Sequence, residues 1–282
     1  MKTTRGTRPG VGGVQLATTT WAPEKAPKAD VVLVHGYAEH SQRYVHVAER
    51  MCAKGLRVHT MDLRGHGAST GVERGDIDSF DNLVTDVEDY VRDVRGELPL
   101  FVFGHSMGGL ASVRLAERGR VEIDGLVAQG SALRGAESIP PLLVKVGDVL
   151  AKIAPGMRTI ALDGTAICSD PAVVADYDAD PLNFRGKLTA RTGAEMNGAM
   201  ALANAEFARI SVPILVLHGA RDRLTDVKGS LALASGVSST DVRLEVIPGA
   251  FHELHNEPDR DHNIDLVVDW LVAHADGATP AS

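Results

Sequence analysis

"PLFVFGHSMGGLAS", residues 99–112, runs from a buried strand into a helix through a serine. Leu100 to Phe103 is a short, wholly apolar run of the kind found in the middle of a buried strand. A helical pattern begins at Met107. Between them, Gly104-His105-Ser106-Met107-Gly108 reads G-x-S-x-G, and the strand-turn-helix setting gives that match its meaning. Glycines two residues either side of the serine carry no Cβ to clash with the neighbouring strands and helix. The turn can then be sharp enough to lift the hydroxyl off the sheet edge, with a helix N-terminus behind it to favour developing negative charge. A glycine-rich loop between strand and helix also suits a phosphate. The absence of G-x-x-x-x-G-K-[ST] and of G-x-G-x-x-G argues against that use.

Moving outward, five more apolar, β-branched segments read as strands: 31–36, 56–62, 123–131, 213–219 and 242–249. Most lack strict alternation, which suits strands buried on both faces of a parallel sheet. Helical patterns fall between them near 44–54, 80–95, 107–118, 226–236 and 260–275. Asp78 or Ser79 is placed to cap the second of these, and Asp226 the fourth. The alternation predicts an α/β protein with a mostly parallel, doubly wound sheet. "GVQLATTTWAP" (13–23) adds antiparallel strand character at one edge. Between about Arg134 and Ala208 the rhythm breaks: no clear strand is legible and helical patterns dominate. That interval reads as a cap inserted at the C-terminal edge of the sheet, leaving a core of residues 1–133 and 209–282 around a cap of residues 134–208. The tail "DGATPAS" (276–282) reads as frayed.

A serine hydroxyl becomes a nucleophile when an imidazole takes its proton and a carboxylate orients that imidazole. On a fold of this kind the chain order is serine, acid, histidine, each after a later strand. Of eleven histidines, His252, His255, His262 and His274 follow the last strand. His262 and His274 fall in the terminal helix pattern and read as solvated. His252 is nearer the strand end than His255 and follows a Gly-Ala pair, so it is the expected base. Asp222 and Asp226 are the candidate acids. Asp226 stands where a helix starts and reads as its cap, which leaves Asp222; the competing role for Asp222 is pairing with Arg221 or Arg223. Two backbone N–H groups are needed for the oxyanion. Met107, just after the serine, supplies one, and Tyr37, in the loop after the 31–36 strand, the other. His35 is expected to make structural hydrogen bonds.

Composition sets limits on the function. With 282 residues the chain can bury a sizeable core, and its formal net charge of −8 argues against a general nucleic-acid binder. Two cysteines, Cys52 and Cys168, do not make a disulfide framework and read as small apolar side chains. The opening "MKTTRGTRPG" has no apolar h-region, and the apolar run from Leu98 to Val113 is too short to span a bilayer. A cytoplasmic protein is the expectation, with peripheral membrane contact left open.

With these residues in hand, the chain resembles the bacterial monoacylglycerol lipases of the serine α/β-hydrolase superfamily over roughly residues 14–275. The motifs that carry the resemblance are "HGYAEHSQRY" (35–44), "DLRGHGAS" (62–69), "GHSMGG" (104–109), "DPLNFRGKL" (180–188), "HGARDRLTD" (218–226) and "FHELHNEP" (251–258). The resemblance implies an α/β-hydrolase fold with a helical cap and a triad of Ser106, Asp222 and His252. It implies Tyr37 and Met107 as oxyanion donors, no metal and no organic cofactor. It further implies that Glu39, Arg43 and Tyr177 line a small pocket for a glycerol head group. Tyr37 departs from the pattern, because some relatives have a small residue there and its ring would narrow the pocket. The expected reaction is hydrolysis of monoacylglycerols to fatty acid and glycerol through an acyl-enzyme. A lysophospholipase or general carboxylesterase is the alternative, and a hydrolase-fold receptor with little turnover is the reading from another class. Within the cap, residues 137–155 place Ile139, Leu142, Leu143, Val146, Val149, Leu150 and Ile153 at helical spacing, with Lys145, Asp148 and Lys152 opposite. Pro140 and Pro141 suit the start of that helix and Pro155 its end. The stripe is expected to face the acyl chain, or a membrane or lipid-droplet surface, at least in part, and packing on the core is the competing reading.

Overall fold

The computed structural model describes residues 1–135 and 141–277. Ten strands and eight helices occur among them: β1 (Lys2–Pro9), β2 (Gln15–Ala22), β3 (Ala29–Val34), α1 (Val45–Ala53), β4 (Leu56–Met61), α2 (Phe80–Val94), β5 (Leu100–His105), α3 (Met107–Arg118), β6 (Gly125–Gln129), α4 (Pro141–Ile153), β7 (Arg158–Ala161), α5 (Pro171–Ala179), β8 (Lys187–Thr189), α6 (Ala190–Glu206), β9 (Ile214–Gly219), α7 (Val227–Gly236), β10 (Val242–Ile247) and α8 (Arg260–Ala275).

Eight strands form one sheet in the order β1-β2-β4-β3-β5-β6-β9-β10. The pairs β1·β2 and β2·β4 are antiparallel, and every pair from β4 to β10 is parallel. The central strands lack polar alternation because both faces are covered. Val32, Val102, Leu126 and Val216 pack on the side of α2 and α3, while Val31, Phe101, Val127 and Leu215 pack on the side of α1 and α8. Alternation is present, then, but between two apolar cores rather than between core and water. Ser79 caps α2, accepting from the Asn82 N–H. Asp226 caps α7, accepting from Lys228 N–H.

Three expectations need correction. β1 has a polar, exposed pattern and pairs only with β2, so it gave no apolar signal. The 134–208 interval contains a short antiparallel pair, β7·β8, whose strands of four and three residues are below the length at which periodicity is legible. His274 is not solvated: its Nδ1 bonds the Trp270 carbonyl and its Nε2 lies 3.1 Å from Asp241. His262 is exposed. Cys52 and Cys168 are free, buried thiols. The frayed-tail reading, at residues 278–282, and Ile139 and Pro140 lie outside the described residues, as do the side chains of Leu142, Leu143 and Lys145.

The interval between β6 and β9 runs through α4, β7, α5 and β8 before returning along α6. Ala199 and Ala203 of α6 join the same apolar cluster as α2 and α3, so that helix ties the insertion to the core. Among the described residues, no helix is long and apolar enough to cross a membrane.

Candidate active site

Parallel strands deliver their C-terminal ends to one edge of the sheet, and the candidate residues follow four of those ends. Val34 of β3 pairs with Gly104 of β5, and Gly219 of β9 with Ile247 of β10. Ser106 follows β5 with φ 53° and ψ −118°, a left-handed backbone that costs a non-glycine residue on the order of 1–3 kcal/mol. Two glycines make that turn fit. A Cβ at Gly104 would run into Ser112 Oγ and the Gly108 carbonyl, and one at Gly108 into the carbonyls of Val34 and His35. The strain is held by backbone bonds, from Ser106 N–H to the Gln129 carbonyl (3.0 Å) and from Ala132 N–H to the Ser106 carbonyl (2.9 Å).

Asp222 sits in the loop after β9. Its Oδ1 accepts the N–H groups of Leu224 (2.8 Å) and Thr225 (3.0 Å). Its Oδ2 accepts Thr225 Oγ1–H (2.8 Å) and His252 Nδ1–H (2.7 Å), with His218 Nε2 at 3.3 Å. Burial by itself would raise the carboxyl's pKa. The His252 imidazole and the hydrogen bonds from His218, His252 and Thr225 outweigh burial and hold it well below the usual carboxylate range. Arg221 and Arg223 lie over the Phe251 ring instead, and Arg223 also donates to the Thr165 carbonyl. His252 is buried in the loop after β10. Burial would depress its pKa, but the charge and hydrogen bond of Asp222 raise it above the ordinary histidine value. With Nδ1–H committed to Asp222, Nε2 is the nitrogen left to act as base.

The loop after β3 passes beside the serine. A Cβ at Gly36 would stand 2.8 Å from Glu39 Oε1 and 3.0 Å from Ser106 Cβ, so a side chain here would have to push its neighbours aside. Met107 is the first residue of α3, where backbone N–H groups have no partner within the helix. His35 has the structural role expected of it: Nδ1–H donates to the Gly36 carbonyl (2.7 Å) and Nε2 accepts Leu63 N–H (2.9 Å). Burial lowers its pKa to about 4, which keeps it neutral. The Tyr37 ring packs edge-on to His66 and Phe184, and its hydroxyl donates to the Gly75 carbonyl.

Ser106, His252, Tyr37, Glu39 and Tyr177 all line one cavity of about 620 Å³, whereas Arg43 does not. The cavity's outer wall comes from the insertion, including Val146, Leu150, Met157, Met196 and Met200. Tyr177 donates its hydroxyl to the Ala38 carbonyl (3.0 Å), which also accepts Phe184 N–H (2.9 Å). Ala38 itself has a left-handed φ of 67°. Three groups at the site escaped sequence reasoning. Thr225 braces Asp222; its place three residues after Asp222 was the available signal. His105, held neutral by burial with its pKa near 4, has its ring 4.7 Å from that of His252. Glu253 lines the cavity and follows His252 in the chain. Among the described residues, no group of three His, Cys, Asp or Glu is arranged to hold a metal ion.

The chain matches the family model described as serine aminopeptidase, S33, over residues 25–259. It is 41% identical over 268 residues to the monoacylglycerol lipase of Mycolicibacterium smegmatis, covering 94% of this chain and 95% of that protein. It is 33% identical over 282 residues to the human monoglyceride lipase, covering 95% and 91%. Among solved structures, the monoacylglycerol lipase of Paleococcus ferrophilus superposes with a TM-score of 0.84 at 30% identity, covering 97% of this chain and all of that one.

Proposed function

The chain belongs to the serine aminopeptidase S33 family of α/β hydrolases, and from that premise we propose that it hydrolyses monoacylglycerols to fatty acid and glycerol. The observation that carries the reading is a strained serine and an Asp222-paired His252 on one cavity with an apolar outer wall. Ser106 Oγ attacks the ester carbonyl while His252 Nε2 takes its proton. The N–H groups of Tyr37 and Met107 stabilise the tetrahedral oxyanion. The imidazolium then protonates the departing glycerol oxygen, leaving an acyl-serine. Water, deprotonated by His252, attacks that ester and releases the fatty acid.

An ester fits this site better than a peptide with a free amino terminus. An aminopeptidase has to hold an α-ammonium, and two of the carboxylates that line the cavity, Glu39 and Glu253, are already committed to Arg43, whose charge offsets one of theirs. The test is an initial-rate panel of monoacylglycerols, diacylglycerols, triacylglycerols, lysophospholipids and an aminoacyl anilide. Monoacylglycerols are expected to give the highest kcat/KM; a faster lysophospholipid would overturn the substrate assignment.

The insertion serves as a cap that meets lipid. The apolar stripe of α4 is divided between two faces. Val146 and Leu150 line the cavity, Val146 while remaining 46% exposed, and Val149 and Ile153 are 58% and 74% exposed. Exposed Ile160 and Leu162 of the same insertion extend the apolar surface. Changing Val149 and Ile153 together to Glu is expected to weaken binding to phosphatidylcholine vesicles by roughly tenfold or more, since apolar burial drives such contact. Hydrolysis of a short soluble ester should survive, because the triad is carried by the sheet. Equal loss of both would make α4 structural.

A further inference from the structure

Arg43 lies within the short 3₁₀ turn Ser41–Tyr44, just past the loop that carries Tyr37, and its guanidinium is held between two carboxylates, with the side chain 10% exposed. Nη1 donates to Glu39 Oε2 at 2.9 Å and to Glu253 Oε1 at 2.5 Å, and Nη2 donates to Glu253 Oε2 at 2.7 Å. The side chain also lies 5.0 Å over the Tyr177 ring. Each carboxylate continues into the site. Glu39 Oε1 accepts the Gly36 N–H at 2.6 Å and the Tyr44 hydroxyl at 2.8 Å. Glu253 adjoins His252 in the chain, its Oε2 accepts Asn256 Nδ2–H, and its own N–H is tied to the Ile167 carbonyl.

We propose that Arg43 is a positioning residue: the buried Glu39–Arg43–Glu253 bridge fixes the Gly36–Tyr37 backbone relative to the His252 loop. This rests on the reading of Ser106, His252 and Tyr37 given above. The two ends of the bridge act on one reacting centre. Tyr37 N–H must meet the oxyanion while His252 meets the serine proton, so the separation between the two loops is itself a catalytic quantity. A shift of about 1 Å in such a geometry can cost on the order of 10²-fold in rate. Arginine suits the task because its planar fork engages Glu253 with two donors while reaching Glu39 with one of them, a fixed geometry that a lysine ammonium does not reproduce. The role differs from a glycerol ligand: Arg43 does not line the cavity, and its Nη atoms are directed to carboxylates.

The experiment compares Arg43→Lys with the wild type on p-nitrophenyl butyrate and on a monoacylglycerol, normalised to folded protein by thermal melts. A positioning role lowers kcat by roughly 10- to 100-fold on both esters, with KM changed less than about threefold. A KM rise confined to the monoacylglycerol overturns the proposal in favour of a head-group ligand. Unchanged kcat on both esters with a lowered Tm overturns it in favour of a purely structural role. Should Arg43→Lys not fold, the isosteric Glu253→Gln carries the same expectations and adds a pH readout. Asp222, Glu253 and Glu39 face His252 and raise its pKa against burial, while His105 beside it is kept neutral by its own burial. Removing the Glu253 charge should therefore move the acid limb of kcat/KM to lower pH; a fixed limb with full kcat counts against the bridge. A wild type inactive on both esters would instead sink the ester-hydrolase reading itself.

Discussion

Ser106→Ala is expected to lose on the order of 10³-fold or more in kcat/KM on every ester while melting close to the wild-type temperature. The two halves of that expectation have separate causes. Activity falls because no other described hydroxyl is set on a strained strand-to-helix turn in the cavity that His252 lines. The fold survives because the bonds that hold the turn are made by the backbone of residue 106, to Gln129, Leu110 and Ala132, and alanine keeps all of them. Alanine also tolerates the positive φ about as well as serine does, so the strain is neither relieved nor increased. The Asp222–His252 hydrogen bond does not pass through the serine and stays intact. Nitrophenyl-ester rates measured beside a thermal melt check both halves. A variant with unchanged kinetics would remove Ser106 from the chemistry, and one that failed to fold would show that the turn needs the hydroxyl.

What the sequence discloses about this molecule depends on how far apart the interacting residues stand. The turn at Ser106 is legible because its determinants, Gly104 and Gly108, lie within two residues and act by excluding a Cβ. The order Ser106, Asp222, His252 is legible because each follows an apolar run long enough to read as a strand. β1 and the β7·β8 pair are not, since β1 is polar and exposed and strands of four and three residues leave no periodic trace. The bridge from Arg43 to Glu253 joins residues 210 positions apart, and no local pattern marks it. Glu39, Arg43 and Tyr177 were expected as head-group residues on resemblance. In the fold, Arg43 lies behind the cavity wall and the Tyr177 hydroxyl donates to the Ala38 carbonyl. Chemistry-bearing residue types point to a site, but which of their atoms remain free is decided by partners that only the tertiary structure supplies.

His252 and His255, three residues apart, should separate activity from stability. His252→Ala is expected to reduce kcat/KM by about 10³-fold or more, because it removes the imidazole at the cavity whose pKa is raised and whose ring a carboxylate orients. His105 is the nearest substitute, but burial keeps its pKa near 4 and makes it a weak base. Asp222 would still hold the N–H groups of Leu224 and Thr225 and the Thr225 hydroxyl, so its carboxylate is not stranded and the loop keeps its shape. His255 is a different object. Its ring stacks on Tyr44 with centroids 4.5 Å apart, its Nδ1 accepts Gln129 Nε2–H at 2.7 Å, and it does not line the cavity. Burial, reinforced by His105 and His46, holds its pKa well below the ordinary value. His255→Ala therefore deletes a buried ring, which costs roughly 2–4 kcal/mol of stability, as other large-to-small core changes do. Its kcat should stay within about tenfold of wild type, since no reacting atom is lost. The wild-type pH profile supplies an independent check. His252 must be neutral to accept a proton, and its pKa is raised above 6.5, chiefly by Asp222 working against burial. Activity should accordingly fall on the acid side through a limb that lies above pH 6.5, and Ser106→Ala should leave the His252 imidazole titrating in the same region by NMR. If His255→Ala proved the inactive variant and His252→Ala the active one, the base would have been misassigned and the Asp222 contact would be structural.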